Sequence, residues 1–343
     1  MVVGADPRAT LRRRAAGSRF SRKQPKQSGR KQLDGERGRE QEGDHVRLAV
    51  TGREGQVAAS LVEAARGRDD VEVVAVGRPA LDLARPDTVF AALEAARPDI
   101  VVSAAAYTAV DQAEDEKDLA FAVNATGAGK VAEAAARLGV PVIHLSTDYV
   151  FDGTRDGAYV ETDPTAPLGV YGASKLAGEA AVAAANPRHL ILRTAWVYSP
   201  FGKNFVKTML RLAGDRDEIA VVADQWGNPT SALDIADAIL HAAARLGADR
   251  NFAAFGVYHL AGEGETNWSG FARHILDTSK AFGGPHAKVR DIATSDYPTK
   301  ARRPQNSRLS SAKFAGMFGW QAPHWRASVA AAVHCLLNPQ QED

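Results

Sequence analysis

The sequence predicts an α/β protein: a doubly wound parallel sheet followed by a smaller C-terminal lobe. Three observations carry this expectation. From Val46 onward, short runs rich in Val and Ile alternate with Ala-rich segments of helical period, the signature of strand-helix-strand units feeding one parallel sheet. The first run passes directly into a glycine-bearing turn that opens a helix, Thr51-Gly52-Arg53-Glu54-Gly55-Gln56-Val57-Ala58. The chain has 343 residues, 45% of them hydrophobic and 24% charged, a balance that suits one large core or two joined domains and excludes repeat, coiled-coil and fibrous classes.

The elements follow in order. Residues 1–44 are rich in Arg, Gln, Gly and Ser and nearly free of aromatics. So little apolar area cannot offset the entropy of ordering, and a disordered basic extension is expected. A nucleic-acid anchor and a transit peptide are the competing readings of this tail, but it has no apolar stretch and no aromatic stacking groups, so no nucleic-acid partner is expected. Strands are expected over 46–51, 71–76, 100–104, 142–146 and 190–194, where β-branched residues cluster. Helices are expected between them over 56–66, 86–96, 117–138 and 171–185. Past Trp196 the alternation loosens. Helices over 204–213 and 231–246 and a mixed, Trp-containing tail read as the smaller lobe, spanning 199–343, with about 225–262 returning to the first domain of 45–198.

Cys335 is the single cysteine, so no disulfide forms within the chain, and a reducing, cytoplasmic setting is expected. The most apolar stretch, 100–110, is interrupted by Ser103 and Thr108 and is far shorter than the ~20 residues of a membrane-spanning helix. No membrane partner is expected.

The glycine turn reads G-x-x-G-x-x-A. Gly52 and Gly55 let the backbone turn tightly and approach a pyrophosphate, whose charge meets the free N–H groups of a first helical turn that includes Gln56 and Val57. Ala58 stands where a third glycine is common, and Ala still permits close packing of helix on strand. Alone, the motif is equally an ordinary strand-to-helix connection; in its βα context it makes the sheet Rossmann-type and the ligand a dinucleotide. The second strand ends in Gly77-Arg78, with no Asp or Glu placed to accept the adenosine ribose hydroxyls. Arg78 can pair with a 2′-phosphate instead, which makes NADPH the expected cofactor and NADH the alternative. An exposed loop arginine is the competing reading of Arg78. Asp82 and Leu83 are placed to flank the adenine ring.

Tyr171 and Lys175 form Y-x-x-x-K, and the i, i+4 spacing puts both on one helix face. A phenol ordinarily titrates near ~10, and a nearby ammonium favours its ionised form, so Lys175 is expected to tune Tyr171 while holding the nicotinamide ribose. The fourth expected strand ends in Ser146-Thr147-Asp148, at the carboxyl edge of the sheet where ligands bind in this architecture. Thr147 and Tyr171 can then both donate to the oxygen of a carbonyl under reduction, with Tyr171 as proton donor. Strand capping by Ser146 and Thr147, and a plain turn at Asp148, are the competing readings.

At these residues the sequence resembles the extended short-chain dehydrogenase/reductase family, and in finer motifs its dTDP-4-dehydrorhamnose reductase branch. The segments that carry the resemblance are Ala104 to Asp111, Val123-Asn124-Ala125, Ser146 to Gly153, Tyr171 to Glu179, Arg193 to Tyr198, Asp224 to Thr230 and Arg303 to Leu309. The resemblance implies Thr147, Tyr171 and Lys175 as a catalytic triad and Asn124 as support for the proton relay. It implies Ala104, Ala105 and Tyr107 as lining of the cofactor cleft. Asp148, Tyr149, Trp196, Arg303 and Asn306 are implied to face a nucleotide sugar, with the Trp196 plane on the deoxysugar and Arg303 on the phosphates. The implied reaction is NAD(P)H-dependent reduction of the C4 keto group of dTDP-4-dehydro-L-rhamnose. No carboxylates match the metal-bridged dimer contacts of some relatives, so no metal ligands are assigned, while Mg2+ and a homodimer stay open. An epimerase or dehydratase of the same fold is the nearest rival, but Asp148 is followed by Tyr149, without the second acid that water elimination uses. A regulatory subunit of the methionine adenosyltransferase type is the non-catalytic rival.

Overall fold

The computed structural model describes residues 45–338. The basic extension expected over 1–44 lies outside them. The first half runs β1 (Val46–Thr51), α1 (Gln56–Ala64), β2 (Val71–Val76), α2 (Val89–Ala96), β3 (Ile100–Ser103), α3 (Val110–Ala113), α4 (Lys117–Phe121), α5 (Ala128–Arg137), β4 (Val142–Thr147), α6 (Val170–Ala185) and β5 (His189–Thr194). The second half adds β6 (Val197–Tyr198), α7 (Phe205–Asp215), β7 (Glu218–Val222), β8 (Trp226–Gly227), β9 (Thr230–Ser231), α8 (Ala232–Ala248), β10 (Gly256–His259), β11 (Thr266–Asn267), α9 (Trp268–Ala281), β12 (Lys288–Ile292), α10 (Ala312–Phe318) and α11 (Trp325–Leu337).

The main sheet has six strands in the order β10-β5-β4-β3-β1-β2, every neighbouring pair parallel. Because β2 lies on one side of β1 and β3 on the other, the order reverses at β1, and a crevice opens beyond the carboxyl ends of β1 and β3. Leu48 and Val50 of β1 enter one core with α1 and α8, and Ala49 enters the other with α2 and α5. A strand covered on both faces has no use for polar alternation, which is why these strands read as apolar runs.

Residues beyond the first domain, within the stretch 225–262 expected to return to it, contribute directly to this sheet. Helix α8 packs beside α1, and β10 pairs with β5 from Gly256 opposite Leu190 to His259 opposite Arg193. A separate core joins α7, α9 and α11 with β7 through Phe271, Ile275, Val221 and Trp325.

The helix expected without interruption over 117–138 contains a wider π-helical turn at Ala122–Gly127 between α4 and α5. Such turns appear where a functional or packing demand interrupts α geometry. Here Asn124, inside the turn, is bonded through its side chain to the backbone of Tyr107. No described helix is long and apolar enough to cross a membrane.

Candidate active site

Three strand ends build the site. At β1, Gly52 takes φ +95°, a conformation other residues rarely adopt, and a side chain there would meet Ala105 Cβ at 3.5 Å. Helix α1 begins after Gly55 with no side-chain cap, and the space in front of Gly55 is open for 4 Å. An uncapped helix start behind a glycine turn leaves N–H groups available to an anion. Gln56 directs its side chain into the protein, its Oε1 accepting from Ser199 Oγ and Asn204 Nδ2, each at 3.0 Å. Val57 packs on the first core.

At β3, the backbone N–H groups of Ala104 and Ala105 both donate to Thr51 Oγ1 at 3.0 Å, which fastens the two walls of the crevice together. Tyr107 continues this wall and donates its hydroxyl to Glu116 Oε2 at 2.8 Å.

At β4, Ser146 donates to Glu179 Oε1, which with Oε2 also receives the guanidinium of Arg193 at 2.9 and 2.7 Å. The next residue, Thr147, donates to Asp148 Oδ1 at 2.8 Å and accepts from Tyr149 N–H at 3.2 Å. Helix α6 presses its first turn onto this strand end: a Cβ at Gly172 would stand 2.1 Å from the Tyr149 carbonyl oxygen. That approach sets the Tyr171 phenol beside the Thr147 hydroxyl and edge-on to the Tyr149 ring, with centroids 5.8 Å apart. One turn on, Lys175 donates to the Leu145 carbonyl at 2.6 Å and lies 3.4 Å from His144 Nε2. A cleft lined by Tyr149, Tyr171, Gly172, Arg302 and Pro304 opens beside the phenol.

Burial governs the electrostatics. It pushes Tyr171 up to about 12, with the Asp148 charge adding to the rise and Thr147 opposing it. Burial raises Asp148 to about 7 and lowers Lys175 to about 8, with Glu179 opposing. His144, buried and facing Lys175, is held well below its usual range and is neutral.

Residues 46–337 match the family model for the RmlD substrate binding domain. A dTDP-4-dehydrorhamnose reductase of Sinorhizobium fredii (strain NBRC 101917 / NGR234) is 53% identical over 292 residues, covering 85% of this chain and 98% of that protein. This chain belongs to the dTDP-4-dehydrorhamnose reductase family. A second relative of that name, from Burkholderia thailandensis, is 46% identical over 85% of this chain and 100% of its own length. The solved dTDP-4-dehydrorhamnose reductase from Bacillus anthracis str. Ames in complex with NADP has a TM-score of 0.77 at 35% identity, covering 84% of this chain and 98% of that one.

Several residues stand differently in this member of the family than expected. Lys175 was expected to bring the Tyr171 phenol down; instead its ammonium is engaged by the Leu145 carbonyl, and burial takes the phenol up. Asn124 was expected to support a proton relay; its donors go to the Tyr107 carbonyl and Ser174 Oγ and its Oδ1 accepts from Tyr107 N–H, so it clamps the β3 wall to α6. Trp196, at φ 48°, stacks on Trp268 with centroids 3.7 Å apart and has Gly227 against its indole; one face expected for a sugar is covered by protein. Arg303 makes a two-point pair with Asp111 at 2.7 and 3.2 Å rather than standing free for phosphates. Asn306 donates to the carbonyls of Arg155 and Gly157 and accepts from Arg308, fixing a loop. Leu83 is buried in the second core, and Asp82 Oδ1 caps its own turn through Ala84 N–H.

Arg53 was missed. Its stem lies across Gly77, where a Cβ would meet Arg53 Cγ at 3.2 Å, and like Arg78 it is exposed with no carboxylate partner among the described residues. Its position inside the glycine turn was the available signal. Among the described residues no group of three or more His, Cys, Asp or Glu side chains is arranged to hold a metal.

Proposed function

We propose that the chain uses NADPH to reduce the C4 keto group of dTDP-4-dehydro-L-rhamnose to the secondary alcohol of dTDP-L-rhamnose, a nucleotide sugar consumed in cell-envelope polysaccharide synthesis. The observation that carries this reading is the convergence of the Thr147 and Tyr171 hydroxyls at the carboxyl edge of β4, next to an uncapped glycine turn, in a chain of this family.

The glycine turn and the start of α1 suit a pyrophosphate, and Arg53 in that turn and Arg78 after β2, neither with a carboxylate partner among the described residues, suit a 2′-phosphate, which favours NADPH over NADH. When bound, the nicotinamide supplies the hydride. Thr147 and Tyr171 meet the negative charge that then grows on the C4 oxygen, and Tyr171 transfers its phenolic proton to that oxygen. Reduction needs this acid protonated, and a phenol raised to about 12 stays protonated across the neutral range. Lys175, fixed on the Leu145 carbonyl, brings its ammonium to the same helix face as Tyr171, where it can hold a ribose hydroxyl. Tyr149 borders the sugar, and Asp148 stands behind Thr147. Asn124, Arg303 and Asn306 act through the segments they fasten.

NADPH oxidation followed at 340 nm with enzymatically generated dTDP-4-dehydro-L-rhamnose tests the reading. Tyr171→Phe removes the proton donor and leaves the fold, so kcat is expected to drop by roughly 10² or more with NADPH affinity retained. Undiminished turnover in that variant rules out the assignment of the acid. Binding of NADPH without reduction of any nucleotide sugar rules out the reductase and leaves a binding subunit.

A further inference from the structure

The Thr147 hydroxyl has one proton and therefore donates one hydrogen bond at a time. In the structure that bond goes to Asp148 Oδ1, at 2.8 Å. A hydroxyl committed to Asp148 has no proton left for the oxygen of a keto group. Its two lone pairs are differently placed: one accepts from Tyr149 N–H, and the other is not engaged by Asp148, with the Tyr171 phenol beside the hydroxyl.

We propose that Asp148 is a positioning residue that works as a neutral carboxylic acid: carrying a proton, it donates to Thr147 Oγ1 and turns the Thr147 proton toward the reacting oxygen. The inference rests on the reductase reading and adds the condition under which Thr147 can act. Ionised Asp148 captures the hydroxyl; protonated Asp148 releases it.

The surroundings of Asp148 favour the proton. The residue is 3% exposed, and Oδ2 is buried without a hydrogen-bond partner among the described residues. No cation pairs with it among them. Facing it are Tyr171 from α6, Tyr149 on its own turn and Ser307 on the loop before α10. Arg303, on that loop, is committed to Asp111 and touches Tyr149, and Lys175 is held by Leu145. A buried carboxyl without a cation disfavours its charged form; the Thr147 hydroxyl bonded to Oδ1 and the Ser307 hydroxyl nearby, which does not reach hydrogen-bond geometry with Oδ2, offset this only in part, and burial pushes the group up to about 7. The sign follows. Below that value Asp148 is neutral and Thr147 is released; above it Asp148 is charged and Thr147 is held.

The decisive experiment compares kcat from about pH 5 to about pH 9 in the full-length wild type, Asp148→Asn and Asp148→Ala, with infrared difference spectra of wild type minus Asp148→Asn. The wild type is expected to lose kcat with a midpoint near 7 as pH rises. Asp148→Asn can donate to Thr147 without titrating, so that limb should vanish, leaving only a later fall near 8 from Lys175. His144, buried and facing Lys175, is held well below its usual range and so is not the source of a limb near 7. Below about 7, Asp148→Ala should lower kcat about tenfold or more relative to the wild type, since Thr147 loses its donor, and its profile should lack the limb near 7. The spectra should contain a protonated carboxyl band at about pH 6 that disappears above neutrality. An ionised Asp148 at that pH overturns the proposal whether or not the enzyme turns over, and so does a limb near 7 that persists in Asp148→Asn. A chain that holds this proton yet never oxidises NADPH overturns the reductase reading itself, and the role of Asp148 with it.

Discussion

Arg53 and Arg78 are two exposed arginines beside Gly77, neither with a carboxylate partner among the described residues. A charge-assisted hydrogen bond contributes about 1.5–3 kcal/mol, so replacing both arginines with serine is expected to raise the KM for NADPH by roughly 10- to 100-fold and leave that for NADH nearly unchanged. Equal losses for the two cofactors would place the arginines elsewhere than on a 2′-phosphate. At the same scale, Tyr171 and Lys175 illustrate how little a spacing says about a charge. Their i, i+4 arrangement brings both to one helix face, yet the Lys175 ammonium is held by the Leu145 carbonyl, and burial together with the Asp148 charge pushes Tyr171 up.

The helices act as jigs, and their small residues set the distances. In α6, Gly172 lets the helix start settle against the Tyr149 carbonyl, and Gly178 does the same against the carbonyl of Asn124, each with a hypothetical Cβ only 2.1 Å from the oxygen. Backbone oxygens in a packed turn have little room to retreat. Gly172→Ala is therefore expected to push α6 away from the end of β4, at a cost of about 1–3 kcal/mol in stability and a loss of about 10²-fold in kcat through misplacement of Tyr171. Urea unfolding together with steady-state rates separates the two; a stability loss with full kcat would mean that α6 does not set the acid. The π-helical turn at Ala122–Gly127 belongs to the same fitting, since it contains both the Asn124 that clamps Tyr107 and the carbonyl that receives Gly178.

Across the molecule, the glycine turn is wired to residues far along the chain. Gln56, the first residue of α1, accepts from Ser199 and Asn204, and Asn204 in turn caps α7 through Lys207 N–H. Ordering the turn around a cofactor should thus be felt at the start of α7. Hydrogen exchange with and without saturating NADPH is expected to slow amides in 199–208 as well as those in 52–58, because Ser199 and Asn204 share the Gln56 Oε1 acceptor and opening of the turn breaks both bonds. Protection confined to the glycine turn would show that Gln56 does not transmit the ordering.

The strand runs, the glycine turn, the strand-end Thr147 and the Tyr171/Lys175 pair were all legible in the sequence, because each depends on the periodicity of a single element or on neighbours within a few residues. So was the helical period through 117–138, though not the π turn within it. The fate of the remaining polar groups was not legible. Asn124 meets a backbone 17 residues away, Asn306 one 151 residues away, and Arg303 a carboxylate 192 residues away. Trp196 finds Trp268 across the third core. The protonation of Asp148 and Tyr171 likewise arises from burial by several elements at once. A side chain's chemistry is written in its own residue type, but its charge, its partner and its direction depend on which distant segments fold around it, and local pattern contains no record of those.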